Sequence, residues 1–206
     1  MRVRYRNDYS YGFSPVLTLI TVNLLFFIIT SIFPALRISL SLLPIAVLSQ
    51  PWTILTSMFV HGGFWHIFAN MLTLYFFGST LLRMVGQGRF LIVYFCGGII
   101  AGIFHIVITI LGGISGISFL GSPFVPVVGA SGAVFALAGG LVVMRPRLPV
   151  MIFPIPLPIP LWVAVIGSFL LLSFMPSVAW QAHLGGLIAG LSAGFVFRRR
   201  ERHFPF

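Results

Sequence analysis

No carboxylate side chain occurs between Asp8 and Glu201, and the few arginines in that interval fall in small groups between long apolar runs. A chain patterned this way cannot clothe a water-facing surface with charge. Its stable solution is to bury the runs in lipid, as helices that satisfy their own backbone groups. Composition agrees: 59% hydrophobic, 7% charged and a mean hydropathy of +1.11, where soluble domains carry about a quarter charged residues. The predicted fold class is all-α: a polytopic membrane protein and a six-transmembrane-helix bundle, forming one domain over 1–206.

Six apolar segments can be drawn, at about 15–33, 64–82, 90–111, 127–144, 160–174 and 180–197. Arg2, Arg4 and Arg6 precede the first, and no small-residue cleavage site follows them, so that segment reads as a retained span. Arg83 and Arg89 lie between segments two and three, Arg145 and Arg147 between four and five, and RRRER follows the sixth. Arg37 apart, every basic residue falls on one side, which the positive-inside rule makes cytoplasmic. Both termini are expected inside. Spans two, four and six then run inward from the outer face.

The net charge of +10 is topogenic in this distribution, which argues against a nucleic-acid partner. Cys96 is the lone cysteine, so no disulfide framework can form. The connection at about 34–63 is long, apolar and aromatic, and is expected to lie in the membrane interface. PIPLPIP, Pro154 to Pro160, is expected to be an extended, polyproline-like lead into span five.

Polar side chains inside a bilayer are costly and are functional candidates. Here they are HGGFWHIFANM in span two, GASG at the start of span four and QAHLGGLIAG in span six. Counting up from the cytoplasmic arginines at the helical rise puts Asn70 at roughly 20 Å, Ser131 at roughly 21 Å and His183 at roughly 22 Å, with His66 one turn higher. Three helices therefore carry polar groups at one level, below the outer surface. Gly132, Ala136 and Gly140 recur every four residues on span four, as do Gly186, Gly190 and Gly194 on span six. Such small-residue stripes are generic packing motifs on their own, yet packing them together brings Ser131 towards His183.

A serine hydroxyl with an imidazole base is a nucleophile. With no Asp or Glu available, the pair reads as a Ser–His dyad. His66, Asn70 and the Ser131 backbone N–H, at a helix N-terminus, are the donors available to a developing oxyanion. Gly129, two residues before Ser131, implies irregular backbone beside a wet cavity.

These motifs resemble the rhomboid family of intramembrane serine proteases: His-x4-His-x3-Asn in HGGFWHIFAN, Gly-x-Ser-Gly in GASG, and Ala-His-x-x-Gly-x-x-x-Gly in AHLGGLIAG. The resemblance implies cleavage of peptide bonds in or beside the transmembrane segment of single-span membrane-protein substrates, near the outer face of the bilayer. Ser131 and His183 would be catalytic, and His66, Asn70 and the Ser131 N–H would form the oxyanion hole. Gly129, Gly132, Gly186 and Gly190 would pack the helices around them. The family admits substrate past span five and the loop before span six, here SFMPSVAWQ, and needs neither metal nor cofactor. The small chain resembles minimal prokaryotic members, so a prokaryotic plasma membrane is the expected location. One departure is visible: many relatives have Trp-Arg in the first external loop, where this chain has Trp52 and Thr53.

Two other classes stand beside this reading. A transporter or channel, or a non-proteolytic rhomboid-like protein, would also explain polar groups in a Gly-rich bundle, although coupled transport usually employs intramembrane carboxylates. A histidine metal or haem site would use His61, His66 and His183, without the HExxH helix or carboxylate support such sites favour. His61 matches the family pattern and reads equally as an interfacial histidine. Gln181 reads as a substrate contact or a helix start, His105 as an interhelical hydrogen-bonding group and His203 as part of a solvated tail.

Overall fold

The computed structural model describes residues 14–151, 157–175 and 178–201, and over them the chain is mostly helical. Pro15 opens α1 (Pro15–Ile32) and Pro34 opens α2 (Pro34–Leu40), both in the first helical turn, where the missing N–H leaves no bond unmade. The long connection that follows is more structured than a plain interfacial loop. It holds α2, a 3-10 turn at Pro44–Ala46, α3 (Thr53–Thr56) and a second 3-10 turn at Ser57–Phe59. Next, α4 (Phe64–Thr73) passes through a π-helical segment, Leu74–Gly78, into α5 (Ser79–Val85).

The remaining elements are α6 (Gln87–Ser115), α7 (Ser131–Met144), strands β1 (Pro149–Val150) and β2 (Ile159–Pro160), α8 (Leu161–Ser173) and α9 (Trp180–Glu201). Helix α6 overruns the expected 90–111 at both ends: Gly88, Gly112 and Gly113 each cost only about 1 kcal/mol in a helix and no proline interrupts the run, which stops at Gly116 in the left-handed region. Helix α7 begins four residues later than expected. Val127 is held instead in an antiparallel bridge, its N–H donating to the Leu42 carbonyl at 2.8 Å and its own carbonyl accepting from Leu42 at 3.0 Å. The extended PIPLPIP lead lies partly outside the described residues. Its last two residues form β2, paired with β1 in the register Pro149↔Pro160 and Val150↔Ile159, a two-stranded ribbon whose open edges tolerate proline. The N-terminal arginines, Asp8 and His203 also lie outside the described residues.

Among the described residues, three helical stretches are long and apolar enough to cross a membrane: Pro15–Ile32, Phe64–Val85 and Gln87–Ser115. Helices α7 and α8 are apolar but shorter. The polarity is inverted relative to a soluble protein. Leu25, Ile28 and Ile32 of α1 and Val107, Leu111 and Ile114 of α6 point outward, while Asn23, His105 and Thr109 are buried. An apolar outer face over a polar interior is what a lipid solvent selects.

Helix α7 is the axis of the fold. Every residue from Gly132 to Leu141 is buried, as expected for a helix that is apolar all round. It packs mainly against α9 and α6. A Cβ added to Gly186 would collide with the Gly132 carbonyl, and one added to Gly190 with the Ala136 carbonyl. The two backbones are in contact, a spacing that only these stripes permit. Below this crossing, Val16, Leu74, Phe90, Tyr94, Leu137 and Leu141 join α1, the π segment and α6 to α7 in one core. At the far end, Arg89 lies over the Phe197 ring, 5.5 Å from its centroid.

Candidate active site

The backbone ahead of α7 determines what Ser131 presents. Gly129 has φ +126°, a region closed to ordinary L-residues, and its N–H donates to the Ser57 carbonyl at 2.9 Å. The turn is thereby fastened to the loop before α4. It delivers Ser131 as the first residue of α7, with a free N–H at the helix start.

Close packing of α7 on α9 then brings the two chemically distinctive side chains together. Ser131 Oγ lies 2.9 Å from His183 Nε2, a normal hydrogen bond. The His183 ring is buried and stacks on Phe135, with centroids 4.6 Å apart and planes at 27°. Phe135 in turn meets Phe169 of α8 edge-on at 6.2 Å. His183 Nδ1 has no hydrogen-bond partner among the described residues, and the sequence carries no Asp or Glu between Asp8 and Glu201 to orient it.

His66 approaches from α4. The Gly62 N–H donates to His66 Nδ1 at 3.2 Å. This makes Nδ1 the acceptor and leaves the proton on Nε2. A Cβ placed on Gly129 would sit 2.7 Å from His66 Nε2 and 3.7 Å from Ser131 Oγ. The space kept open by the missing side chain is therefore bordered by a donor and by the serine hydroxyl. Asn70, one turn further along α4, is buried and donates one Nδ2 proton to the His66 carbonyl at 2.8 Å, which leaves its second proton free.

His61 precedes α4 and is fully enclosed. Its ring meets His66 edge-on, centroids 5.2 Å apart, and its Nδ1 is 3.3 Å from the Phe59 carbonyl. Burial first, and the facing His66 ring second, hold the His61 pKa down to about 4, so the imidazole is neutral at pH 7. Among the described residues no three His, Cys, Asp or Glu side chains are grouped as metal ligands.

Ser131, His183, His66 and Gly129 thus surround one space, with Asn70 just below His66. Sequence reasoning missed Phe135, although it lies one turn from Ser131 on the same helix face and that spacing was readable. It also missed the Gly62–His66 and Gly129–Ser57 bonds, which depend on how separate loops meet.

Residues 48–200 match the family profile of the Rhomboid domain. The chain belongs to the rhomboid family. It is 31% identical over 169 residues to the Saccharomyces cerevisiae protein named Rhomboid protein 1, mitochondrial, an alignment covering 73% of this chain and 44% of that one. It is also 31% identical over 163 residues to the Bacillus subtilis protein named Putative rhomboid protease YdcA, covering 74% and 71% of the two chains. With the Bacillus subtilis rhomboid protease GluP it shares 38% identity over 90 residues, 44% of this rhomboid and 15% of that one. This rhomboid therefore spans less than half the length of the yeast relative.

Proposed function

We propose that this rhomboid is an intramembrane serine endopeptidase that cleaves peptide bonds in the transmembrane segments of single-span membrane proteins, near the outer face of the bilayer. The observation carrying this reading is the 2.9 Å contact between Ser131 Oγ and His183 Nε2. Ser131 Oγ attacks the scissile carbonyl carbon while His183 Nε2 takes the hydroxyl proton. Negative charge collects on the former carbonyl oxygen. The Ser131 N–H, the His66 Nε2–H and the free Asn70 Nδ2–H are the donors for it, each worth a factor of about 10² to 10³ in rate. Collapse breaks the C–N bond, and His183 passes its proton to the leaving amine. Water then attacks the acyl-serine with His183 again as base, which releases the new carboxyl end and restores Ser131.

In this reading the single domain crosses the bilayer six times, as α1, α4–α5, α6, α7, α8 and α9, with both termini cytoplasmic. The grouping of arginines at one set of helix ends supports it. Substrate enters sideways, past α8 and the connection before α9. The location is a prokaryotic plasma membrane, supported by the match with the bacterial YdcA, which covers 74% of this chain and 71% of that one. No cofactor takes part in the steps above.

The test is cleavage of a labelled single-span substrate in detergent, with fluorophosphonate labelling in parallel, for wild type, Ser131→Ala and His183→Ala. The reading requires both substitutions to abolish cleavage and labelling. Equal behaviour of all three proteins leaves a non-proteolytic rhomboid or a transporter in its place.

A further inference from the structure

A second group of buried polar side chains lies where α6 and the start of α9 cross, on the same two helices as His183 and its neighbours. Gln181, one residue into α9, is 4% exposed, and His105 of α6 is 5% exposed. Gln181 Nε2 donates to the Leu120 carbonyl at 3.0 Å, while the neighbouring Trp180 stacks on Phe119 at 5.0 Å. The loop before α7 is thereby clasped to the start of α9. The two helices cross close by: a Cβ on Gly185 would lie 2.6 Å from Phe104 Cβ. A Cβ on Gly121 would meet both Gln181 Nε2, at 2.8 Å, and Thr109 Cγ2, at 3.2 Å, so the Gln181 amide sits against α6 one turn from His105. His105 follows Phe104 directly, and His183 precedes Gly185 by two residues, so the two imidazoles belong to the same α6–α9 crossing.

Four atoms of this cluster are buried without a partner: Gln181 Oε1, both ring nitrogens of His105, and His183 Nδ1. Leaving any one of them unpaired costs about 1–3 kcal/mol. Their chemistry is complementary. With Nε2 accepting from Ser131, His183 Nδ1 is a donor. A neutral His105 offers one acceptor and one donor, and Gln181 Oε1 is an acceptor. Two donors and two acceptors are the complement needed for one directed chain running from His183 through His105 to Gln181, whose Nε2 already donates to the Leu120 carbonyl. A gap beyond direct reach is one that a bridging water would span.

We propose that His105 and Gln181 are positioning residues, a neutral hydrogen-bond relay that fixes the tautomer and direction of the His183 imidazole where a triad would employ a carboxylate. A carboxylate in that place would be a bare charge in a low-dielectric interior. The amide and imidazole perform the orienting task without charge. This proposal rests on the peptidase reading above.

The test is steady-state cleavage of a labelled single-span substrate by the full chain in detergent, with thermal melting of each variant. His105→Leu and Gln181→Leu fill the space without donors or acceptors, and each lowers kcat about tenfold or more while KM stays within about twofold. His105→Gln, whose amide supplies a donor and an acceptor, recovers most of that loss. Should His105→Leu fail to fold, Gln181→Leu at the far end of the relay carries the same test. If His105→Gln falls as far as His105→Leu, the position supplies packing alone and the relay is overturned. If Ser131→Ala is inert while His105→Leu and Gln181→Leu keep the wild-type kcat, the relay is overturned and the dyad stands. If Ser131→Ala cleaves as fast as wild type, the peptidase reading itself fails.

Discussion

The ring of His183 lies flat on the ring of Phe135, 4.6 Å between centroids and 27° between planes. One residue therefore holds the His183 ring from below while sharing a helix, one turn on, with Ser131. Phe135→Leu keeps most of the volume and loses the aromatic face. Such a stack is worth about 0.5–1.5 kcal/mol, so kcat should fall roughly twofold to tenfold with KM little changed. Phe135→Tyr should retain the rate. Steady-state cleavage of both variants checks this.

Gly129→Ala forces a side chain into a backbone with φ +126° and against His66 Nε2. Strain of this kind costs about 1–3 kcal/mol, seen as a lower Tm in detergent. Because the added methyl occupies the space between His66 and Ser131, activity should fall about 100-fold or more, well beyond what the melting shift alone would produce.

Gly190→Val and Gly186→Ala act through the backbone contact of α9 with α7. Each added group meets a carbonyl that cannot move aside, and overpacking of this type costs about 1–3 kcal/mol. Both variants should melt earlier and lose fluorophosphonate labelling, as the two helices part and the 2.9 Å contact of Ser131 with His183 opens. Gly167→Ala, at a site in α8 with nothing within 4 Å of the new Cβ, should do neither.

His61 carries a pH dependence of stability. Its folded pKa, about 4, lies below the ordinary value of 6.5, so as pH falls the unfolded chain takes up this proton first. The contribution of His61 is complete above about pH 6.5 and is lost progressively as pH drops towards 4, a change on the order of 3 kcal/mol. Wild type should melt markedly earlier at pH 4.5 than at pH 7, and His61→Gln should show a smaller difference. Melting curves of the two proteins across that range check it.

The long apolar runs and their bracketing arginines made the helices readable, because helical rise and bilayer thickness are constants that turn residue counts into depths. By that counting Ser131 and His183 fall at one level, and the glycine stripes indicated which faces approach. The start of α7 was not readable, since Val127 is diverted into a bridge with Leu42, far back in the chain. Nor could the pattern disclose that the 34–63 connection folds into short helical turns, or that Ser57 anchors Gly129. Those features arise where distant loops meet, and no local periodicity encodes them.

The π-helical segment Leu74–Gly78 amounts to one surplus residue carried within the rod formed by α4 and α5. Everything before it is rotationally out of phase with everything after it by roughly 100°. His66 and Asn70 owe their aim to that offset, while Leu81 and Val85 on the other side are seated in the core. Excising a single amino acid there would make the hydrogen-bond ladder more regular and would swing the imidazole and the carboxamide away from Ser131. The irregular turn is a phase adjuster: it lets one rod serve two partners that ask for different faces.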